Sequence, residues 1–315
     1  MTKYFNVAIK GFAMGAADVV PGVSGGTIAF ITGIYDELLD SINAVVPNLK
    51  LLFKGRVKSF FEAINGPFLI SLFIGIGTAI FTLAKLFTFL LEHYPVQVWS
   101  FFFGLVVGSV LYVGSKVGKL NLLTIVALLV GTFLSYWLTI IPPSANVDST
   151  WFLFISGAIA IMAMILPGIS GSFILLLLGA YSTVLSAVKD LDIMKLGVFL
   201  LGCTLGILSF SKVLKWTLNN YRKPTLALLT GFLVGSLNKL WPWKENIINR
   251  INSHGEVVPF ITKNVVPGDY SHIGPADIEL GILVQEPVTM FAVLFAFIGL
   301  ALILLFWKLE PKGLE

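Results

Sequence analysis

The sequence has little charge. Asp, Glu, Lys and Arg make up 12% of its 315 residues, against about 25% in a typical soluble domain. Hydrophobic residues reach 57%, and the mean hydropathy is +0.91. This composition excludes a soluble globular protein and indicates an integral membrane protein. The net charge of +4 does not indicate a nucleic-acid partner, because Lys and Arg lie in short loops and at segment ends rather than in a stripe.

The chain also has few residues that carry chemistry. Its single cysteine, Cys203, excludes an intrachain disulfide. The three histidines fall in predicted external loops without the spacing of metal ligands, so we expect neither a metal site nor a cofactor. No paired carboxylates, Ser-His-Asp set or Walker motif is visible. The sequence therefore predicts no catalytic residues and no enzyme.

One phrase occurs twice. PGVSGGTIAFITGIY runs from Pro21 to Tyr35, and PGISGSFILLLLGAY runs from Pro167 to Tyr181, at a constant offset of 146 residues. A Pro-Gly-x-Ser-Gly break inside an apolar segment, repeated in corresponding positions of two halves, is the best sequence indication of a transporter binding site.

Six apolar stretches are long enough to cross a bilayer, which takes about 20 residues. They are 68–91, 96–115, 120–141, 194–216, 224–241 and 286–307. Two further regions, 5–39 and 151–188, contain the repeated phrase and are broken near the middle by Pro-Gly. Each arm has roughly 15 residues, about 22 Å of helix, which is short of a hydrocarbon core of ~30 Å. Each region is therefore one broken crossing or a re-entrant hairpin.

Loop charges favour the re-entrant hairpin, because Lys and Arg accumulate on the cytoplasmic side. With a cytoplasmic N-terminus and two hairpins, the loop 40–67, the cluster at 215–223 and the C-terminal tail all lie inside. The segment 242–285, with balanced charge, is then an external loop. Treating each region as a single crossing moves the cluster at 215–223 outside. We expect both termini in the cytoplasm.

The halves match again at an offset of 127 residues. Gly75 pairs with Gly202, and GLVVGS at 104–109 pairs with GFLVGS at 231–236. The predicted fold is an all-α polytopic membrane protein with two repeats, 1–142 and 143–315. Each repeat has one hairpin and three crossings, and because three is odd, the second repeat is inverted in the membrane.

The two breaks predict an anion site near the membrane midplane. Irregular backbone in hydrocarbon persists only where protein or water satisfies it. Glycine amides form anion-binding nests, and half-helix N-termini attract negative charge. The alternative is that the breaks are only Pro/Gly kinks. The candidate substrate-binding residues are Gly22, Ser24, Gly25, Gly26, Thr27, Gly168, Ser170, Gly171 and Ser172.

Charged residues inside spans are further candidates, because burying them in lipid is costly. Lys85 and Lys212 occupy matching positions and could each offer a cation to a phosphate, as could Arg222; the alternative is that the two lysines extend to the head groups. Asp18 precedes the first break, and its counterpart is Met164. This acid could bind a proton or sodium ion, or cap a half-helix.

These motifs resemble a known family. KGFAMGAADVVPGVSGGTIAFITGIYDELL at 10–39 and ILPGISGSFILLLLGAY at 165–181 are similar to the two signatures of the DUF368 membrane-protein family, over nearly the whole chain. The resemblance implies a polyprenyl-phosphate transporter of a bacterial or archaeal cytoplasmic membrane, which returns undecaprenyl phosphate to the cytoplasmic leaflet for cell-envelope synthesis.

The residues alone leave the function more open. They support a transporter that handles an anion, and a transporter or channel for a small anion or ion would use the same hairpins. A membrane-embedded lipid phosphatase would need a nucleophile with a base or metal within the spans, and none is visible. Ser172 and Phe173 stand where the first copy has Gly26 and Thr27, so we do not expect two equivalent sites.

Overall fold

The fold is a bundle of helices with one small β-hairpin. The structure, a computed structural model, describes residues 2–19, 24–141, 149–251, 257–270 and 289–309. The helices are α1 (Thr2–Val19), α2 (Gly25–Ile31), α3 (Tyr35–Asn43), α4 (Val45–Phe53), α5 (Val57–Ala63), α6 (Gly66–His93), α7 (Pro95–Val117), α8 (Leu122–Ile140), α9 (Thr150–Ile165), α10 (Gly171–Leu177), α11 (Tyr181–Lys189), α12 (Ile193–Asn220), α13 (Arg222–Ser236) and α14 (Thr289–Leu309). The strands are β1 (Lys244–Ile251) and β2 (Val257–Asn264).

Five helices in the described part of the chain are long and apolar enough to cross a membrane: α6, α7, α8, α12 and α14. Their outer faces carry fully exposed apolar side chains such as Phe81, which suit a lipid environment. The prediction of an all-α polytopic membrane protein is confirmed. The fifth predicted crossing, 224–241, corresponds to α13, which ends earlier, at Ser236, and has 15 residues, about 22 Å of helix.

Local sequence explains where several helices begin. Pro95 opens α7, where its missing N–H costs nothing. Asn121 and Thr124 form a reciprocal capping box at the start of α8. The side chain of Asp192 accepts a hydrogen bond of 3.0 Å from the amide of Lys195 at the start of α12.

The two broken regions fold alike. Region 5–39 contains α1, α2 and the start of α3, and region 151–188 contains α9, α10 and α11. The short α2 and α10 each end at a glycine with positive φ, 72° at Gly33 and 70° at Gly179. In the second copy, the chain bends by 110° between α10 and α11. Re-entry of these segments to the side they left stays a prediction.

Backbone contacts at glycines hold α1 against α6 and α9 against α12. A Cβ on Gly11 would overlap the carbonyl of Leu72, and a Cβ on Gly157 would overlap the carbonyl of Phe199. These two contacts are related by the sequence offsets of 146 and 127 residues. The first arm of each hairpin therefore packs on its own crossing in the same register.

The remaining two long helices of each half pack on helices of the other half. Helix α7 packs on α14, and α13 packs on α8. A Cβ on Gly104 would overlap the carbonyl of Ala296, and a Cβ on Gly231 would overlap that of Leu128. This correspondence relates α8 to α14 at an offset of 168 residues, a match too weak to detect from sequence similarity. When the two halves are interchanged, the contact of Gly104 with Ala296 takes the place of the contact of Gly231 with Leu128.

The segment 242–285 is more than the external loop that the sequence predicts. Strands β1 and β2 pair in an antiparallel hairpin, in keeping with their many β-branched residues. Trp243 and Tyr270 are buried with Val96 of α7 and Ala292 of α14. The indole of Trp241 donates a 2.8 Å hydrogen bond to the carbonyl of Val265. This segment therefore caps one end of α7 and α14; residues 252–256 and 271–285 lie outside the described residues.

The glycine contacts give a direct test of the packing. We expect Gly75→Ala to destabilise the protein by about 1–3 kcal/mol, because the new Cβ would overlap the carbonyl of Ala8. Gly77→Ala, two residues further along α6, is the matched control, since a Cβ at this position would meet no other helix among the described residues. Thermal unfolding in detergent measures both. Equal unfolding temperatures for the two variants would contradict the α1–α6 packing.

Candidate functional site

The structure brings the two breaks together. The hydroxyl of Ser24 donates to the carbonyls of Met164 at 3.2 Å and Leu166 at 3.3 Å. The amide of Gly168 donates to the hydroxyl of Thr27 at 3.0 Å. The phenol of Tyr35 donates to the carbonyl of Ile165 at 3.0 Å. Residues about 140 positions apart in sequence thus form one polar contact inside an apolar bundle.

This contact follows from the ends of the broken helices. Helix α9 ends at Ile165, and the last carbonyls of a helix have no partner within it. In an apolar environment those carbonyls require donors, and the hydroxyls of Ser24 and Tyr35 supply them. Ser24 itself begins α2: its backbone is extended and its Oγ accepts from the amide of Gly26 at 3.1 Å.

Two glycines of the signatures allow the close approach of the halves. A Cβ on Gly26 would lie 2.6 Å from the carbonyl oxygen of Ile165. Gly168 has φ +87° and packs against the backbone of α13 at Leu233. Both positions exclude a side chain, so these glycines have a packing reason that is independent of ligand binding.

Asp18, near the end of α1, places its carboxylate at the start of α2. Its Oδ1 accepts a 2.7 Å hydrogen bond from the amide of Gly25, which is the capping arrangement foreseen as one alternative. Its Oδ2 is buried and has no hydrogen-bond partner among the described residues. The alternative role, binding a proton or sodium ion, stays a prediction.

The amides predicted to hold a phosphate are largely occupied by the protein. Gly25 donates to Asp18, Gly26 to Ser24 and Gly168 to Thr27. Gly22 lies outside the described residues. These three amides are therefore not free to bind a phosphate, because the hydroxyls of Ser24 and Thr27 and the carboxylate of Asp18 already accept their hydrogen bonds.

The second break borders a small polar cavity. The hydroxyls of Ser170 and Ser172 lie 2.8 Å apart, and Ser170 faces the cavity together with Lys239. The volume is about 10 Å³, room for about one water molecule. The other lining residues are Ser135, Leu138, Thr139, Gly168, Ile169, Phe173 and Ser236.

Two lysines that the sequence does not single out are Lys239, which lines this cavity, and Lys244, which contacts the main chain of Lys239. The ammonium of Lys239 lies 4.6 Å from the centroid of the Phe173 ring. The ammonium of Lys244 donates to the main-chain carbonyl of Lys239 at 2.6 Å and lies 3.4 Å from the centroid of Trp99. A signal was present, because Lys239 falls inside the predicted crossing 224–241, where a charge is costly.

The cations that the sequence did single out lie elsewhere. Lys85, Lys212 and Arg222 are exposed on the surface of the bundle, and none borders the cavity at the second break. This placement agrees with the alternative in which the lysines extend to lipid head groups. Their contact with a substrate stays a prediction. Within the described ranges, no group of three or more His, Cys, Asp or Glu side chains is placed to hold a metal ion.

Helices interrupted at matching points of two halves, joined by hydroxyl groups within an apolar bundle, are the architecture of a membrane transporter. The chain belongs to the family described as undecaprenyl phosphate translocase-like, whose model matches residues 14–258. The resemblance seen in the two signatures is thereby confirmed.

Two curated relatives carry the same name, polyprenyl-phosphate transporter. The chain is 51% identical to the protein of Vibrio cholerae serotype O1 over 270 residues, which are 85% of this chain and 87% of the relative. It is 34% identical to the protein of Staphylococcus aureus over 258 residues, 76% of this chain and 87% of the relative. No solved structure matches the chain. The names agree with the expectation of a transporter rather than an enzyme.

The contact between the breaks can be tested at Thr27. We expect Thr27→Val to destabilise the protein by about 1–3 kcal/mol, because the buried amide of Gly168 loses its acceptor. Thr27→Ser keeps the hydroxyl and should retain most of the stability. Thermal unfolding in detergent distinguishes the variants. A valine variant as stable as the serine variant would show that this hydrogen bond does not hold the halves together.

Proposed function

We propose that this protein moves polyprenyl phosphate between the leaflets of the cytoplasmic membrane and so recycles the carrier lipid of cell-envelope synthesis. The observation that carries the proposal is the hydrogen-bonded meeting of the two breaks inside an apolar bundle, in a chain that belongs to the translocase-like family. The names of the two relatives support the same substrate.

A lipid phosphate requires a polar place for its head and an apolar path for its tail. Hydroxyl groups at the breaks offer the first. The second is an apolar groove between α6, α7 and α14 with a volume of about 640 Å³. We assign this groove to the prenyl tail, because Val98 in its wall is followed directly by Trp99, which contacts Lys244 near the second break. The lining residues are Phe87, Leu90, Tyr94, Gln97, Val98, Phe101, Phe102, Phe291, Phe295 and Ile298.

The described conformation is a closed one in this scheme. The cavity at the second break holds about one water molecule and is too small for a phosphate group. Entry of the head group requires the hydrogen bonds of Ser24 and Thr27 to the second half to open. Their hydroxyls and the freed glycine amides then become donors for the phosphate. Coupling to a proton or sodium ion through the unpartnered oxygen of Asp18 belongs to the same proposal.

The inverted arrangement of the halves is also part of the proposal. It is supported by the reciprocal packing of α7 on α14 and of α13 on α8, and by the loop charges that favour cytoplasmic termini. Two hairpins that enter from opposite faces would let the site open to each leaflet in turn.

Leaflet-resolved movement of a polyprenyl phosphate in proteoliposomes tests the function. We expect the intact protein to accelerate movement and a Ser24→Ala, Ser170→Ala double variant to lose most of it, because both hydroxyls lie at the breaks. If the variant still moves the lipid, the assignment of polyprenyl phosphate as the substrate stands, and the hydroxyls of Ser24 and Ser170 are not required for transport. If the intact, folded protein gives no movement, the transport of a small anion becomes the better hypothesis.

Thiol labelling tests the inversion. In a Cys203→Ser background, we expect cysteines at Lys54 and Lys223 to react with an impermeant reagent from the cytoplasmic side. A cysteine at Asp190, in the turn after the second hairpin, should react from the outside. Labelling of Lys54→Cys and Asp190→Cys from the same side would contradict the inverted repeat.

A further inference from the structure

The ammonium of Lys244 donates to the main-chain carbonyl of Lys239, and Lys239 lines the cavity at the second break. Both lysines are partly buried. Lys239 follows the end of α13, and Lys244 begins β1. Their ammonium groups contact the aromatic rings of Phe173 and Trp99, at 4.6 and 3.4 Å from the ring centroids. Aromatic faces attract a cation without neutralising it, so neither ring supplies a counter-charge.

No internal anion balances these charges in the part of the chain that the structure describes. The ion pairs seen there involve Lys3, Lys195 and Lys215, and none reaches Lys239 or Lys244. Burial lowers the pKa of Lys244 well below its ordinary value, and the positive charge of Lys239 lowers it further. Two buried ammonium groups are unfavourable without a counter-ion. A bound anion would favour their charged form and so counteract the lowering of the pKa.

The two breaks differ in charge. At the first, the carboxylate of Asp18 receives the amide of Gly25 and would repel an anion. At the second, Met164 stands in the position that corresponds to Asp18, and Lys239 shares a cavity with Ser170. The electrostatic asymmetry therefore favours an anion at the second break over the first.

We propose that Lys239 and Lys244, together with the hydroxyl of Ser170, bind the phosphate group of the lipid, and that this phosphate site exists only at the second break. The inference rests on the proposed function for the nature of the lipid. It replaces the symmetric pair Lys85 and Lys212 as the source of positive charge. The groove whose wall includes Val98, the residue before Trp99, would hold the tail of the same molecule.

Binding measured on detergent-solubilised full-length protein tests the lysine pair. The probes are farnesyl phosphate, farnesol as the same tail without charge, and inorganic phosphate as a competitor without a tail. We expect Lys239→Gln and Lys244→Gln each to weaken farnesyl phosphate roughly tenfold to a hundredfold, as for the loss of a hydrogen bond to a charged group. The affinity for farnesol should not change, and Lys239→Arg should restore most of the binding.

Lys119→Gln and Lys189→Gln are matched controls, because each removes one exposed positive charge; both should bind farnesyl phosphate like the intact protein. Thermal unfolding confirms that each variant is folded. Competition by inorganic phosphate at millimolar concentration would show a head-group site that accepts the free ion as well. Unchanged affinity in the Lys239→Gln, Lys244→Gln double variant, or an equal loss for farnesol, would overturn the inference.

The outcomes separate the inference from the proposed function. If the intact protein moves polyprenyl phosphate and the double lysine variant binds farnesyl phosphate normally, the transport function stands and the lysine site is wrong. If the intact protein binds farnesyl phosphate through these lysines and moves no lipid, the phosphate site stands and transport is wrong. Failure of the intact protein to bind farnesyl phosphate would reject the site.

Discussion

The structure depends on one constraint: a helix that is interrupted in apolar surroundings leaves backbone groups that something must satisfy. Here each half supplies hydrogen-bond partners for the backbone groups that the other half leaves unpaired. The end of α9 exposes carbonyls, and Ser24 and Tyr35 of the first half donate to them. The amide of Gly168 is free because its helix has ended, and Thr27 accepts from it. The breaks are therefore stable only together, which makes their contact both a folding requirement and a candidate point of opening.

Much of the fold could be predicted from the sequence, because membrane spans have a strong signal. The ends of α6, α7 and α12 fall within four residues of the predicted ones. The duplicated phrase indicates two regions that fold alike, and Gly33 and Gly179 adopt the same backbone conformation in both. The relation of α8 to α14 was beyond reach, since it is preserved in backbone contacts at a few glycines and not in side-chain similarity. The β-hairpin at 244–264 is not predicted, because its strands are short and their apolar and polar residues do not alternate cleanly.

The site was less predictable than the fold. The residues of the signatures do meet, yet close backbone packing and internal hydrogen bonds account for several of the glycines that the repeated phrase marks as candidates for ligand binding. The matching positions in the two halves single out Lys85 and Lys212, which are exposed. The cations near the second break, Lys239 and Lys244, have no counterparts at the first. The repeated phrase indicates where the two halves meet, whereas the residues that differ between the copies determine the charge at each break.

The glycine contacts have a mechanical consequence. Where one backbone rests directly on another, as at Gly11 with Leu72 or Gly104 with Ala296, a helix cannot slide along its partner without a steric clash. Each of the pairs α1–α6, α9–α12, α7–α14 and α8–α13 is thus held in one register by its backbone contacts. The two breaks meet between these pairs through hydrogen bonds, which can exchange partners without moving a helix along its neighbour. A change of conformation where the breaks meet can therefore leave the packing within each pair intact.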